Sequence, residues 1–246
     1  MKFGLIGYPL GHSFSRDYFR EKFHQLGLTD FVYDNFPLLS VEEVVRLLQS
    51  DVFGLNVTMP YKTSIIQYLD ETDHEAFQIG AVNTLVRSGP TSWKGYNTDA
   101  SAFRVSLKAW IGAAPFPEKA LILGSGGAAR AVSFVLEGLG IKPDIVSRGM
   151  KADFNYQKLT PGIIKDHLLI VNTTPLGMEP DPMTCPEIPF EHITSQHWLY
   201  DLVYNPGNTL FLTRGKQVGA RTKNGIEMLH LQAEHAWSIW KSYGKF

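Results

Sequence analysis

L-I-L-G-S-G-G-A-A-R, residues 121–130, sets how the rest of the chain is read. The run before it, A-L-I-L-G (120–124), has the composition of a buried strand, and a helical pattern follows from about Gly127 to Leu139. The glycines therefore fall in a strand-to-helix turn. Gly124, Gly126 and Ala129 fit G-x-G-x-x-A. The first glycine permits a tight turn, and the second lets the backbone approach a pyrophosphate. The small third residue lets helix and strand pack closely. Gly127 and Ala128 open the helix, whose N-terminus offers free N–H groups and a partial positive charge. A glycine turn can also serve packing alone. With a strand before it and a helix after it, the motif predicts a dinucleotide site.

The same alternation extends in both directions. Upstream, F-G-L-I-G (3–7), D-F-V-Y-D-N-F (30–36) and F-G-L-N-V-T (53–58) read as strands. Helical patterns cover Phe14 to Leu26, 41–48 with Ser40 as its N-cap, and a stretch through Ile65, Ile66 and Leu69. A-V-N-T-L-V-R (81–87) and S-W-K-G-Y-N (92–97) read as a hairpin-like pair, followed by a helix over 99–111. Downstream, 144–147, 168–173 and 199–204 read as strands, and a last helix begins near Gly225. Strands alternating with helices imply an α/β protein with mostly parallel sheets. G-A-A-P-F-P-E (112–118) carries two prolines that resist both helix and central strand, so it is the natural linker. Residues 1–111 and about 225–246 then form an N-terminal α/β domain. Residues 112–224 form a Rossmann-type dinucleotide-binding domain, with a cleft between the two.

Composition narrows the class. The 246 residues are 44% hydrophobic and 19% charged, enough for packed cores and too apolar for a disordered chain. A net charge of −1, without a local basic run, gives no electrostatic case for nucleic acid. No stretch approaches a membrane span, and the apolar N-terminal run is broken by glycines and a proline and lacks a signal-peptide cleavage site. The single cysteine, Cys185, excludes an intrachain disulfide and a cysteine-based zinc site, and the economical setting is the reducing cytoplasm. No metal-ligand spacing of the H-E-x-x-H kind appears, so no metal is expected.

The strand after the glycine motif bears on which cofactor is used. A site for NAD ordinarily puts an acid there for the ribose 2′-hydroxyl. Here the chain exits through Ser147 into Arg148, whose guanidinium suits a 2′-phosphate; a solvated loop arginine is the plainer alternative. Asp144 lies at the start of this strand and would point the wrong way. The balance favours NADP.

Four polar clusters stand at or beside strand ends in the first half: H-S-F-S (12–15), N-V-T-M-P-Y-K (56–62), G-A-V-N-T (80–84) and Y-N-T-D-A (96–100). In open α/β sheets, ligands bind beyond the carboxyl ends of strands. Each cluster also has a plainer reading. Ser13 or Ser15 can cap a helix, Asp99 can be a first-turn acid, Asn83 can satisfy a turn, and Lys62 can be solvated.

These clusters, with G-S-G-G-A-A-R, N-T-T-P-L-G-M, Y-D-L-V-Y-N-P and G-I-E-M-L-H-L-Q-A, resemble in order the shikimate dehydrogenase family, from residue 12 to 233. The resemblance implies reversible reduction of 3-dehydroshikimate to shikimate with NADPH, in aromatic amino-acid biosynthesis. It implies a catalytic pair, Lys62 and Asp99. Ser13 and Ser15 would hold the substrate carboxylate with Tyr204 and Thr58 nearby, and Asn83 and Gln232 would bind ring hydroxyls. Thr173 would border the cofactor and Gly225 would lie near the nicotinamide. The partners implied are small molecules, with the protein a monomer or homodimer.

Three departures stand out. Arg16 follows S-x-S where the family usually has proline, Ala100 replaces the glycine of N-T-D-G, and S-R-G replaces N-R-T in the cofactor loop. Ser15 favours shikimate over quinate, since quinate-preferring relatives tend to carry threonine there. The alternatives are a quinate/shikimate dehydrogenase and a non-catalytic sensor of a small acid or nucleotide on the same scaffold.

Overall fold

The computed structural model describes residues 1–11, 14–150, 152–244 and 246. The chain divides into two compact units, Met1–Thr98 with Gln232–Phe246, and Asp99–Leu231.

The first unit is built on β1 (Lys2–Gly7), α1 (Phe14–Gln25), β2 (Val32–Pro37), α2 (Val44–Leu48), β3 (Val52–Val57), β4 (Glu71–Thr72), α3 (His74–Ile79), β5 (Thr84–Arg87) and β6 (Trp93–Tyr96). Its strands form one sheet in the order β2-β1-β3-β5-β6-β4, in which only β5 runs against its neighbours. Two apolar layers cover it. Ile6, Val44, Leu55, Val57, Ile65 and Trp93 form one, while Phe3, Phe19, Phe23, Tyr33, Trp237 and Trp240 form the other. Alternation along the strands explains the split: Leu55 and Val57 enter the first layer, so Gly54 and Asn56 face the second. At Gly54 the missing side chain makes room for Trp240, because a Cβ there would sit 2.5 Å from the indole nitrogen. That indole donates to the Leu85 carbonyl at 2.9 Å.

Local chemistry altered some expected elements. Ser40 sits before a 3₁₀ turn over Val41–Glu43 and makes no side-chain cap. The helix expected through Ile65 and Leu69 is a 3₁₀ turn over Ser64–Tyr68. The β-branched pair Ile65–Ile66 is a poor start for a helix. Leu69 is extended, and the Asp70 carboxylate is taken by the Trp93 N–H at 2.8 Å, which draws the chain into β4.

The second unit contains most of α4 (Thr98–Ile111), then β7 (Lys119–Leu123), α5 (Gly127–Gly138), β8 (Lys142–Val146), α6 (Pro161–Asp166), β9 (Leu169–Asn172), β10 (Trp198–Asp201), α7 (Leu210–Gln217), β11 (Arg221–Lys223) and the start of α8 (Ile226–Tyr243). All five strands are parallel, in the order β11-β10-β9-β7-β8. Outside β8 a single parallel bridge joins Phe154 to Val146. Counted as a vestigial strand, Phe154 completes the doubly wound order 3-2-1-4-5-6. The order reverses between β7 and β9, so the crevice of this unit opens beyond Leu123 and Asn172.

Candidate active site

In the first unit, the separated polar clusters meet in a buried hydrogen-bond chain. The Tyr33 phenol donates to Asn56 Oδ1 at 2.8 Å. Asn56 Nδ2 faces the Asn83 carbonyl at 3.4 Å and Thr84 Oγ1 at 3.2 Å. Thr84 in turn donates to Asn83 Oδ1 at 3.2 Å. The Asn83 amide receives the Thr98 N–H at 2.7 Å and donates to Thr98 Oγ1 at 3.0 Å, so it fixes the first residue of α4. Tyr33 is fully buried, and burial pushes its pKa up, which keeps the phenol neutral and able to donate.

Ser15 lies inside the first turn of α1; Ser13 lies outside the described residues. Thr58 follows β3, and its backbone N–H donates to the Ile6 carbonyl at 2.8 Å. Two anchors hold the segment that carries Lys62. The buried Tyr61 donates its phenol to the Leu38 carbonyl at 2.6 Å, and the Lys62 carbonyl accepts from Val82 N at 2.7 Å. The lysine backbone is thus bonded one residue away from Asn83, while its side chain is half-buried. Gln232 lies on α8, two residues before Glu234. The Glu234 carboxylate accepts from Lys22 of α1 at 2.6 and 2.7 Å and from the Tyr18 phenol, which ties α8 to the helix of Ser15.

In the second unit, the glycine turn separates into two kinds of glycine. Gly124 has φ +111°, and a Cβ there would lie 2.7 Å from Thr173 Oγ1. The fold therefore requires it. Gly126 is the N-cap of α5 with extended backbone, and a Cβ there would meet no protein atom within 4 Å. Nothing in the protein's own packing calls for glycine at Gly126. The space beside it, at a helix N-terminus where Gly127 and Ala128 have N–H groups without intrahelical partners, fits a pyrophosphate. Ala129 is buried, as close helix–sheet packing demands.

Across the crevice, Thr173 donates through Oγ1 to the Leu123 carbonyl at 2.7 Å. Just behind it, the buried Asp201 carboxylate accepts from Asn172 Nδ2 at 2.9 Å, Val203 N at 3.0 Å and Thr209 Oγ1 at 2.6 Å. Despite these donors, burial pushes the pKa of Asp201 up to about 6. Neither Asn172 nor Asp201 stood out in the sequence. Their signal was their place inside N-T-T-P-L-G-M and Y-D-L-V-Y-N-P. Gly225 is required by packing, since a Cβ there would lie 2.2 Å from the Leu202 carbonyl oxygen. Tyr204 is partly buried, and that burial raises its pKa.

At the end of β8, Ser147 Oγ accepts from Gly149 N at 3.1 Å, turning the chain so that Arg148 is exposed. Asp144 is the middle residue of β8 and does not stand at its start as expected. Its carboxylate meets Nε2 of the buried His167 at 2.8 Å, so it is committed inside the unit. Among the described residues, no group of three or more His, Cys, Asp or Glu side chains could hold a metal ion. No described helix is long and apolar enough to cross a membrane.

Known proteins resemble this chain over nearly its whole length. A model of the shikimate dehydrogenase substrate binding domain matches residues 5–85. The chain is 39% identical to the NADP(+) shikimate dehydrogenase of Halothermothrix orenii, with 96% of this chain and 89% of that protein covered. It is 38% identical to the one from Carboxydothermus hydrogenoformans, covering 96% and 90%. The solved shikimate 5-dehydrogenase of Thermus thermophilus, in complex with NADP(H) and shikimate, superposes with a TM-score of 0.84 at 31% identity, over 98% of this chain and 94% of that one. At this identity over nearly the full length of its relatives, the chain belongs to the shikimate dehydrogenase family.

Proposed function

We propose that this protein catalyses the reversible NADPH-dependent reduction of 3-dehydroshikimate to shikimate, in the pathway to aromatic amino acids. The observation that carries the reading is the hydrogen-bond chain from Tyr33 through Asn56, Thr84 and Asn83 to Thr98. It gives one cause to polar residues of three separate clusters, 56–62, 80–84 and 96–100.

In this reading, residues 1–111 and about 225–246 bind the substrate, and 112–224 bind NADP. Ser13 and Ser15 receive the substrate carboxylate, aided by Thr58 and Tyr204, and Asn83 and Gln232 bind ring hydroxyls. Bound NADPH supplies the hydride. As the ketone carbon is reduced, its oxygen gains negative charge. The Lys62 ammonium stabilises that charge and donates the proton, while Asp99 holds a substrate hydroxyl and favours the charged lysine. On the cofactor side, the N–H groups around Gly126 to Ala128 receive the pyrophosphate. Thr173 and Gly225 flank the nicotinamide, and Ser147 and Arg148 receive the 2′-phosphate. The enzyme works in the cytoplasm on small molecules, as a monomer or homodimer.

The test is to offer the purified protein shikimate or quinate with NADP or NAD and follow the reduced nicotinamide. Shikimate with NADP is expected to react fastest. A folded protein inert in all four mixtures would point to a sensor on the same scaffold.

A further inference from the structure

We infer that Asp201 is a positioning residue for the nicotinamide end of the cofactor, because its one carboxylate fixes both loops that flank that end; this rests on the function proposed above. Asp201 and Asn172 are the last residues of β10 and β9, and they are paired in the parallel register. Both are fully buried. Burying a carboxylate at a strand end is costly unless hydrogen bonds compensate it. The donors that Asp201 collects come from the two loops that leave these strands.

The direction of each hydrogen bond is determined. The Thr174 backbone N–H can only donate, and it meets Asn172 Oδ1 at 3.0 Å, joined there by the Thr174 hydroxyl at 2.7 Å. Asn172 Nδ2 is therefore the atom turned to Asp201 Oδ1, at 2.9 Å. The Val203 N–H, also an obligate donor, reaches the same oxygen at 3.0 Å. One oxygen thus holds two segments. Through Asn172 it fixes the turn at Thr173 and Thr174, and Thr173 Oγ1 lies 2.7 Å from where a Cβ of Gly124 would stand. Through Val203 it fixes the turn after β10, and the Val203 carbonyl accepts from Gly225 N at 3.2 Å. Oδ2 takes the Thr209 hydroxyl at 2.6 Å, so the cap of α7 keeps the carboxylate from rotating. Without this anchor the two loops lose their common reference, and the nicotinamide between them is held less accurately for hydride transfer. The adenosine end, received by Ser147 and Arg148 beyond β8, has no part in this network.

The experiment compares Asp201→Ala and Asp201→Asn with wild type, reading kcat, the affinity for NADPH, and the affinity for adenosine 2′,5′-bisphosphate, which carries the 2′-phosphate but no nicotinamide. Asp201→Ala is expected to lower kcat by about tenfold or more and to weaken NADPH binding by about tenfold. It is expected to change binding of the bisphosphate less than about twofold, because that fragment does not reach the anchored loops. Asp201→Asn can put its amide oxygen where Oδ1 stood and keep both loop contacts, so it should stay within about threefold of wild type in all three readings. Equal weakening of NADPH and the bisphosphate would mean general disturbance of the unit and would overturn the inference. So would unchanged kcat and NADPH affinity in Asp201→Ala, or an asparagine variant as impaired as the alanine one. If Asp201→Ala does not fold because its donors are left unpaired, Asn172→Ala replaces it. That variant cuts the same link on the loop side and leaves Asp201 its bonds to Val203 and Thr209, and the same split between NADPH and the bisphosphate is expected. A wild-type protein that leaves shikimate and NADP unchanged overturns the proposed function and this inference with it. A wild type that turns shikimate over, with variants that show no such split, overturns the inference alone.

Discussion

Replacing Gly124 and Gly126 by alanine, one at a time, separates what the fold requires from what a ligand requires. At Gly124 the backbone has φ +111°, where an L side chain is strained by roughly 1–3 kcal/mol. The new Cβ would also lie 2.7 Å from Thr173 Oγ1 and 3.1 Å from Thr174 Cγ2. Thr173 cannot simply move aside, because its hydroxyl is bonded to the Leu123 carbonyl. Overpacking of this kind adds roughly 1–3 kcal/mol, so Gly124→Ala is expected to cost about 2–6 kcal/mol of stability. Gly126 differs on both counts: its φ is −82° and its ψ −170°, and a Cβ there meets no protein atom. As an N-cap it loses on the order of 1 kcal/mol or less on change to alanine. The methyl group would nevertheless stand where a pyrophosphate must approach the backbone, so NADPH affinity should fall by about tenfold or more. Urea unfolding measures the first quantity, and titration of NADPH fluorescence measures the second. A Gly126→Ala protein with wild-type NADPH affinity would refute the reasoning, because the open space would then not be where the cofactor lies.

Lys62→Ala is expected to bind shikimate while losing about 10²–10⁴-fold in turnover, the usual worth of a positioned acid–base group; isothermal titration against steady-state rates separates the two. Arg148→Ala should raise KM for NADP by about tenfold and change KM for NAD far less, as expected if one charged hydrogen-bonding partner of a 2′-phosphate is removed. Asp201→Asn should change how stability depends on pH. The folded carboxyl titrates at about 6 against an ordinary 3.8, so the stability it contributes is complete below 3.8 and is lost as pH rises through 6. At about 1.4 kcal/mol per pH unit, the loss is about 3 kcal/mol, and the amide variant escapes it. Urea unfolding at pH 4 and pH 7.5 should therefore show the variant gaining on wild type by roughly that amount; parallel profiles would contradict the origin assigned to the shift.

The alternation of strands and helices, and the turn at 121–130, were legible because they depend on local pattern. A strand followed by glycines and an apolar helix face has few other solutions. Short elements were not legible. β4 is two residues long and exists because Glu71 and Thr72 find Lys94 and Gly95 on β6, with a Lys94–Glu71 ion pair at 3.2 Å. The Phe154 bridge is one residue long and has no pattern to read. Asp144 was misplaced along its strand because β8 begins at Lys142, where Pro143 made a strand look improbable. Pro143 is tolerated because β8 is the last full strand of its sheet.

The first-half site was half legible. Ser15, Thr58, Lys62, Asn83 and Asp99 stand in motifs, so residue type and order pointed to them. Tyr33 did not stand out, and Thr84 stood in G-A-V-N-T without a role of its own, because their roles come from strands adjacent in the sheet and far apart in the chain. β2 lies beside β1, β1 beside β3, and β3 beside β5, which brings Tyr33, Asn56 and Thr84 onto one face. A tyrosine in a strand reads as core, and by burial Tyr33 is core. Its hydroxyl gains meaning only once Asn56 is known to face it.

The most direct test of the central claim is the fate of a labelled hydrogen. Shikimate carrying deuterium on the carbon whose hydroxyl is oxidised is incubated with the protein and NADP, and the label is located by mass spectrometry. Direct hydride transfer predicts one deuterium in each NADPH formed, with one 3-dehydroshikimate produced alongside it. Label that stays in the acid, or appears in water while NADP is unreduced, would contradict the account.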